Sequence, residues 1–141
     1  MEKFDLGRFL TAQDPQYAQV LNELRAGRKT SHWMWYIFPQ IQGLGASDTA
    51  RFYALASLDE AKAYLAHEVL GPRLRECTAL VNNVSQRSIV EIFGSVDAMK
   101  FRSSMTLFCE ATSDNEAFRF ALTKYFDGKP DERTLAILGA A

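Results

Sequence analysis

Between residues 70 and 84 the apolar side chains Leu70, Leu74, Cys77, Val81 and Val84 recur at steps of four, three, four and three. That spacing lines one face of an α-helix, and Arg73, Glu76 and Asn83 point elsewhere. Pro72 fits the first turn of such a helix, where its missing N–H has no partner to lose. A second stripe, Phe118, Ala121, Leu122, Tyr125 and Phe126, predicts a helix through "NEAFRFALTKYFDG". A third, Tyr17, Leu21 and Leu24, runs through "DPQYAQVLNELRAG", with Asp14 as N-cap, Pro15 at the first helical position and Gly27 as the stop. Ser47 opens "SDTARFYALA", and Ser57 with Glu60 stands in capping-box spacing, as does Ser113 with Glu116. "RSIVEIFG" reads as a short helix stopped by Gly94, Ser95 caps "VDAMKFRSSMTLFCEA", and Pro130 opens a last turn or two, "DERTLAIL".

The segment "WMWYIF", residues 33 to 38, breaks this pattern because it is apolar on every side. As an isolated strand it would leave its backbone groups unpaired, whereas a helix pairs its own. Thr30 or Ser31 can cap such a helix, and Pro39 ends it, since the residue before a proline avoids the α region. The reading is a short helix buried all round, a hub on which the amphipathic helices lay their faces. "QGLGAS" follows as a loop.

The chain has 141 residues, 48% of them hydrophobic and 23% charged, which fits one globular domain over residues 1–141 with a real core. Connections of a few residues then make the expected fold all-α: a compact, irregular or orthogonal bundle of about six to eight short helices around the aromatic hub. Sixteen basic against seventeen acidic residues, a net charge of −1, argue against a nucleic-acid or membrane-surface binder. The two cysteines, Cys77 and Cys109, read as helical and do not form a secreted scaffold, so a reducing, cytoplasmic setting is expected. "MEKFDLGRFL" lacks the apolar centre of a signal peptide, and no window approaches the ~18 apolar residues of a membrane span.

Three longer matches add a resemblance. "GRKTSHWMWYIFPQIQGLGAS", "SLDEAKAYLAHEVLGPRL" and "KFRSSMTLF" together resemble the bacterial family called domain of unknown function 1810, over about residues 9–126. The resemblance implies a small all-helical single domain and no established activity. Some members carry an automatic calpastatin label; that inhibitor is a disordered chain, and this composition is that of a packed globule.

Candidate chemistry gathers at three places. His32 and Gln40 flank the aromatic run and are expected to face a cavity lined by Trp33, Trp35 and Tyr36; the bland alternative is that they tie down helix and loop ends. On the helix carrying "KFRSSMTLF", Lys100 and Ser103 share a face with Ser104 and can hold a phosphate or carboxylate, unless the hydroxyls merely bond the preceding turn. "HEVLGPRLRE" offers Arg73 near free helix-start N–H groups, an anion seat, against a plain Arg73–Glu76 surface pair. His32, His67, Cys77 and Cys109 lack metal-ligand spacing, no phosphate-loop or nucleophile-elbow pattern occurs, and no cofactor is implied. The functional expectation is a pocket beside "HWMWYIFPQ" for a small anionic, nucleotide-like ligand, using His32, Trp33, Trp35, Tyr36, Gln40, Arg73, Lys100 and Ser103. Whether a reaction follows binding stays open. The alternatives are a protein-interaction module anchored by an exposed Trp33 or Tyr36 and a purely structural hub; in any case a monomer or weak homodimer is expected.

Overall fold

The structure, a computed structural model, describes residues 4–139. Among them are ten helices and no strand: α1 Gly7–Gln13, α2 Tyr17–Ala26, α3 Met34–Ile37, α4 Asp48–Tyr53, α5 Leu58–Ala66, α6 Leu70–Asn82, α7 Ile89–Phe93, α8 Ser95–Ala111, α9 Glu116–Phe126 and α10 Glu132–Gly139. The all-α expectation holds, with ten helices where six to eight were expected. One addition is understandable. α1 begins at Leu6–Gly7 with no side-chain cap and no apolar stripe of useful length to announce it. α10, eight residues or about two turns, forms where "DERTLAIL" was expected to.

The hub is a different helix from the expected one. α3 is a single turn, and the packing is organised around α8, which lies against α5, α7, α9 and α10. Residues Phe101 and Ser103 to Phe108 of α8 are all buried. Small hydroxyl residues serve there because the helix is enclosed on most sides. Ser103 and Thr106 satisfy their hydroxyls on the preceding turn, donating to the Met99 carbonyl at 3.1 Å and the Arg102 carbonyl at 2.8 Å. α6 forms the second organising element, against α2, α5 and α9, and its stripe is buried as the spacing predicts at Leu70, Leu74, Cys77 and Val81, with Val84 half-buried. α5 and α6 come together so tightly that a Cβ on Gly71 would lie 2.1 Å from the Leu65 carbonyl oxygen.

The aromatic segment connects these layers. Phe38 packs edge-on against Phe101 of α8 at 5.0 Å and against Phe93 of α7 at 5.9 Å, and Trp33 meets Phe93 at 6.3 Å. Each such pair is worth about 0.5–1.5 kcal/mol beyond its burial. Thr30 and Ser31 do not cap α3. Their backbone N–H groups and the Ser31 hydroxyl all donate to the carboxylate of Glu23 on α2, which also receives the Trp33 indole N–H at 3.0 Å. The ionised carboxylate is a strong acceptor, so it holds Thr30 and Ser31 against α2, two to three residues ahead of Trp33, the N-cap position of α3.

Other boundaries move for equally local reasons. Asp14 closes α1 instead of opening α2, its N–H bonding the Leu10 carbonyl at 2.9 Å, and α2 starts at Tyr17. Gly27 stops α2 in the left-handed region at φ 73°. Ser47 and Ser57 cap as expected, but Glu60 accepts from the Ala56 N–H and from Arg8 instead of returning to Ser57. The Ser113–Glu116 box does not form: Asn115 occupies the N-cap position, and its amide instead ties the Cys109 carbonyl at 3.0 Å. A reciprocal box does form at Ser88 and Glu91 ahead of α7. Ser95 is the first residue of α8, and Gly94, at φ 84°, precedes it.

Candidate functional site

The N-terminal turns of α8 emerge from the core and leave apolar groups in water: Val96 is 68% and Met99 48% exposed. They face the loop after α3 and the start of α10. Between these three elements lies an open cavity of about 410 Å³, lined by Gln40, Leu44, Val96, Met99, Lys100, Ser103, Asp131 and Arg133, with Gly45 and Ala50 at its edge. A smaller recess shares Gln40, Gly45 and Ala50 with it and continues to Trp35 and Tyr53. The loop is held in place by the Gln42 N–H to Leu55 carbonyl bond at 2.8 Å and the Leu55 N–H to Gln40 carbonyl bond at 2.9 Å. That pair makes the isolated parallel bridge of Ile41 with Leu55.

The charges around this cavity are arranged in series. Lys29 Nζ lies 5.1 Å from the Trp33 ring centroid and 2.9 Å from one Asp97 oxygen. The other Asp97 oxygen is 3.7 Å from Lys100 Nζ, which sits 4.9 Å from the Trp35 ring centroid. One carboxylate therefore serves two ammonium groups, and Lys100 keeps part of its charge for another partner. Arg133 is exposed and makes no ion pair among the described residues. Asp131 is committed to helix capping: its carboxylate accepts the Thr134 N–H at 2.9 Å and the Thr134 hydroxyl at 2.6 Å, while its own N–H donates to Thr106 Oγ1 at 2.8 Å. Three cations against two carboxylates leave the cavity one positive charge in excess, above walls that are mostly aliphatic.

Of the residues singled out from the sequence, Gln40, Lys100 and Ser103 line this one cavity, and Trp35 adjoins it. The other four lie elsewhere. His32 is exposed; the chain turns Trp33 inward at the next position, and the imidazole remains in water. Trp33 is fully buried on Glu23, without contact to any cavity described above. Tyr36 is 8% exposed and donates its hydroxyl to Gln16 at 2.7 Å, with its ring against Tyr53 at 5.3 Å. Arg73 points to the far side, bonding Asp14 at 2.8 Å and Gln13 at 3.3 Å over the Tyr17 ring, and Glu76 accepts from Tyr17 instead of pairing with it. The helix start beside Arg73 holds no open anion seat. His67 Nδ1 accepts the Val69 and Leu70 N–H groups at 3.1 and 3.2 Å and caps α6 itself.

Asp131, Arg133, Leu44 and Met99 join the site without a signal in the sequence that places them there. Pro130 marks the start of α10, so Arg133 in its first turn was legible; its approach to α8 was not.

The remaining titratable groups serve the fold. Burial works to raise the Glu23 carboxyl, but the Ser31 hydroxyl, Thr30 N–H, Gln19 amide and Ser31 N–H outweigh it and hold the group down at about 2. Burial pushes the Cys77 thiol up to about 12 and the Cys109 thiol up to about 11, so both are held mainly in the protonated, slowly reacting form near neutrality. Among the described residues no group of three or more His, Cys, Asp or Glu could hold a metal ion, and no helix is long and apolar enough to cross a membrane.

The chain is similar over its whole length to one solved structure. The crystal structure of the conserved hypothetical protein Rv1873 from Mycobacterium tuberculosis is 56% identical, with a TM-score of 0.98 over 99% of this chain and 100% of that one. No curated protein matches. A family model, that of the protein of unknown function DUF1810, matches residues 3–138. The chain is thus a member of the DUF1810 family.

Proposed function

We propose that the protein binds a small anionic ligand in the cavity between α8, the 40–50 loop and α10. The observation that carries this reading is Lys100: its ammonium shares Asp97 with Lys29, faces the Trp35 ring and borders a cavity where Arg133 is also free. Gln40 supplies a neutral polar contact, and Leu44, Val96 and Met99 an apolar wall; the Ser103 hydroxyl already donates to the Met99 carbonyl and contributes only an acceptor. The volume of about 410 Å³ lies within the ~300–1,000 Å³ usual for small-molecule sites. A nucleotide fits the reading if its phosphate meets Lys100 and Arg133 and its base lies on the aliphatic wall, since one face of Trp35 is already taken by Lys100. The two free thiols support a reducing, cytoplasmic setting.

The rival reading, a docking module anchored by an exposed Trp33 or Tyr36, has less support. Trp33 and Tyr36 are buried and hydrogen-bonded inside the fold.

The test is calorimetric titration of the protein with orthophosphate, AMP and short carboxylates. A charge-assisted bond of about 1.5–3 kcal/mol predicts a roughly ten- to hundredfold weaker Kd in Lys100→Ala. Arg133→Gln is expected to weaken binding too, and His32→Ala to leave it unchanged. Failure of every probe to bind at millimolar concentration, or an unchanged Kd in Lys100→Ala, refutes the proposal.

A further inference from the structure

Toward the C-terminal half of α8 a second cavity, about 240 Å³, opens between α8, α9 and α10. It shares no charged residue with the Lys100 cavity. Its walls are Leu122, Leu135, Pro130 and the backbone at Gly128, with Cys109, Glu110, Arg119 and Thr123 around the mouth. The polar groups deeper in are already committed. Thr106 donates to Arg102 and accepts from Asp131, and the Cys109 carbonyl takes the Asn115 amide. Of the residues lining this cavity, the charged ones are one cation, Arg119, and one anion, Glu110, and neither makes an ion pair among the described residues. Glu110 follows Cys109 on α8 and Arg119 stands on α9, so the two charges flank the mouth from neighbouring helices.

A single free charge of each sign above a small apolar hollow is complementary to a zwitterion with an apolar body. A plain fatty acid would satisfy Arg119 but be repelled by Glu110. An amine would do the reverse. A neutral apolar molecule would gain nothing from either charge. The volume is below that of drug-sized sites, so the occupant is of metabolite size. We infer that this cavity binds a free, apolar α-amino acid, with its carboxylate on Arg119, its ammonium on Glu110, and its side chain against Leu122, Leu135 and Pro130.

The experiment uses the full chain, titrated with L-leucine, L-phenylalanine, N-acetyl-L-phenylalanine and L-phenylalaninamide, by calorimetry and by the rate of Cys109 alkylation with N-ethylmaleimide. Cys77 is fully buried and Cys109 half-buried at the mouth, so modification followed by peptide mass spectrometry reads this site. Expected results are saturable binding of leucine or phenylalanine, slower Cys109 alkylation when bound, and at least tenfold weaker binding of both capped derivatives. Arg119→Gln and Glu110→Gln, both at exposed positions that leave the core intact, each weaken phenylalanine at least tenfold. Lys100→Ala leaves it unchanged, so this outcome is independent of the fate of the first cavity. Three results each overturn the inference: no binding of either amino acid at millimolar concentration, equal binding of the N-acetyl derivative, and wild-type affinity in Arg119→Gln.

Discussion

Replacing Glu23 by glutamine changes one atom in the acceptor of a buried donor cluster, and the structure gives the size of the effect. The carboxylate is 5% exposed, and its Oε1 accepts from Thr30 N–H at 2.7 Å, Ser31 N–H at 3.0 Å and Trp33 Nε1 at 3.0 Å. Its Oε2 accepts from the Ser31 hydroxyl at 2.6 Å and Gln19 Nε2 at 2.8 Å. Holding the group at about 2 against an ordinary 4.5 corresponds, at about 1.4 kcal/mol per pH unit, to roughly 3 kcal/mol of folding free energy. The folded pKa is depressed, so this contribution is fully present above the unfolded value. It is lost as pH falls from about 5 through about 2. Glu23→Gln is therefore expected to be about 3 kcal/mol less stable than wild type at pH 7, with the gap closing toward pH 2. Glu23→Ala loses every acceptor and also strands the Trp33 N–H, for about 1–3 kcal/mol more. Urea melts of all three proteins at a series of pH values, followed by tryptophan fluorescence, measure the gap directly. Taking the difference between variants cancels the other carboxylates. A Glu23→Gln gap that stays constant from pH 7 to pH 2, or is absent at pH 7, refutes the assignment of Glu23 as an ionised structural anchor.

Two further stability changes test the packing. Gly71→Ala places a methyl 2.1 Å from the Leu65 carbonyl and requires α5 and α6 to move apart, so a loss of at least about 2 kcal/mol in a urea melt is expected; a wild-type midpoint would contradict that approach. Ser104→Ala goes the other way: the hydroxyl oxygen is fully buried without a hydrogen-bond partner, so its removal is expected to be neutral or to stabilise by up to about 1 kcal/mol, and a loss above that would mean the hydroxyl has a partner.

Periodicity reached most of the helices because it depends only on neighbours in sequence. Leu70, Leu74, Cys77 and Val81 are buried together because any helix with that spacing must present them on one face. The N-terminal boundaries were less legible because acceptors compete. Ser31 can cap α3, but Glu23 lies within reach across the α2–α3 turn and holds its N–H and hydroxyl. The same competition draws Glu60 from Ser57 to Arg8 and Ala56. The candidate site divided along similar lines. Lys100 and Ser103 share a helix face by arithmetic, so their common exposure to one cavity was open to sequence reasoning. Arg73 lies on a helix whose other neighbours, Asp14 and Tyr17, could not be known without the fold, and these decide where its guanidinium goes.

The aromatic segment then has a reading that neither a strand nor a plain hub helix provides. Its four large rings face four different partners. Trp33 closes on Glu23 and α7, Phe38 on α8, and Tyr36 on Gln16 and Tyr53, while Trp35 meets Lys100. Three of the contacts are buried and belong to the fold. The fourth lies at the edge of a cavity and involves a lysine whose counter-ion, Asp97, is shared with the lysine over Trp33. An anion bound at Lys100 would weaken its hold on Asp97 and leave that carboxylate more fully to Lys29. The change would be felt 5.1 Å away at the ring of Trp33, a fully buried fluorophore. The density of aromatics would then have a physical consequence beyond packing: an anion bound in the surface cavity would lie within electrostatic reach of the core.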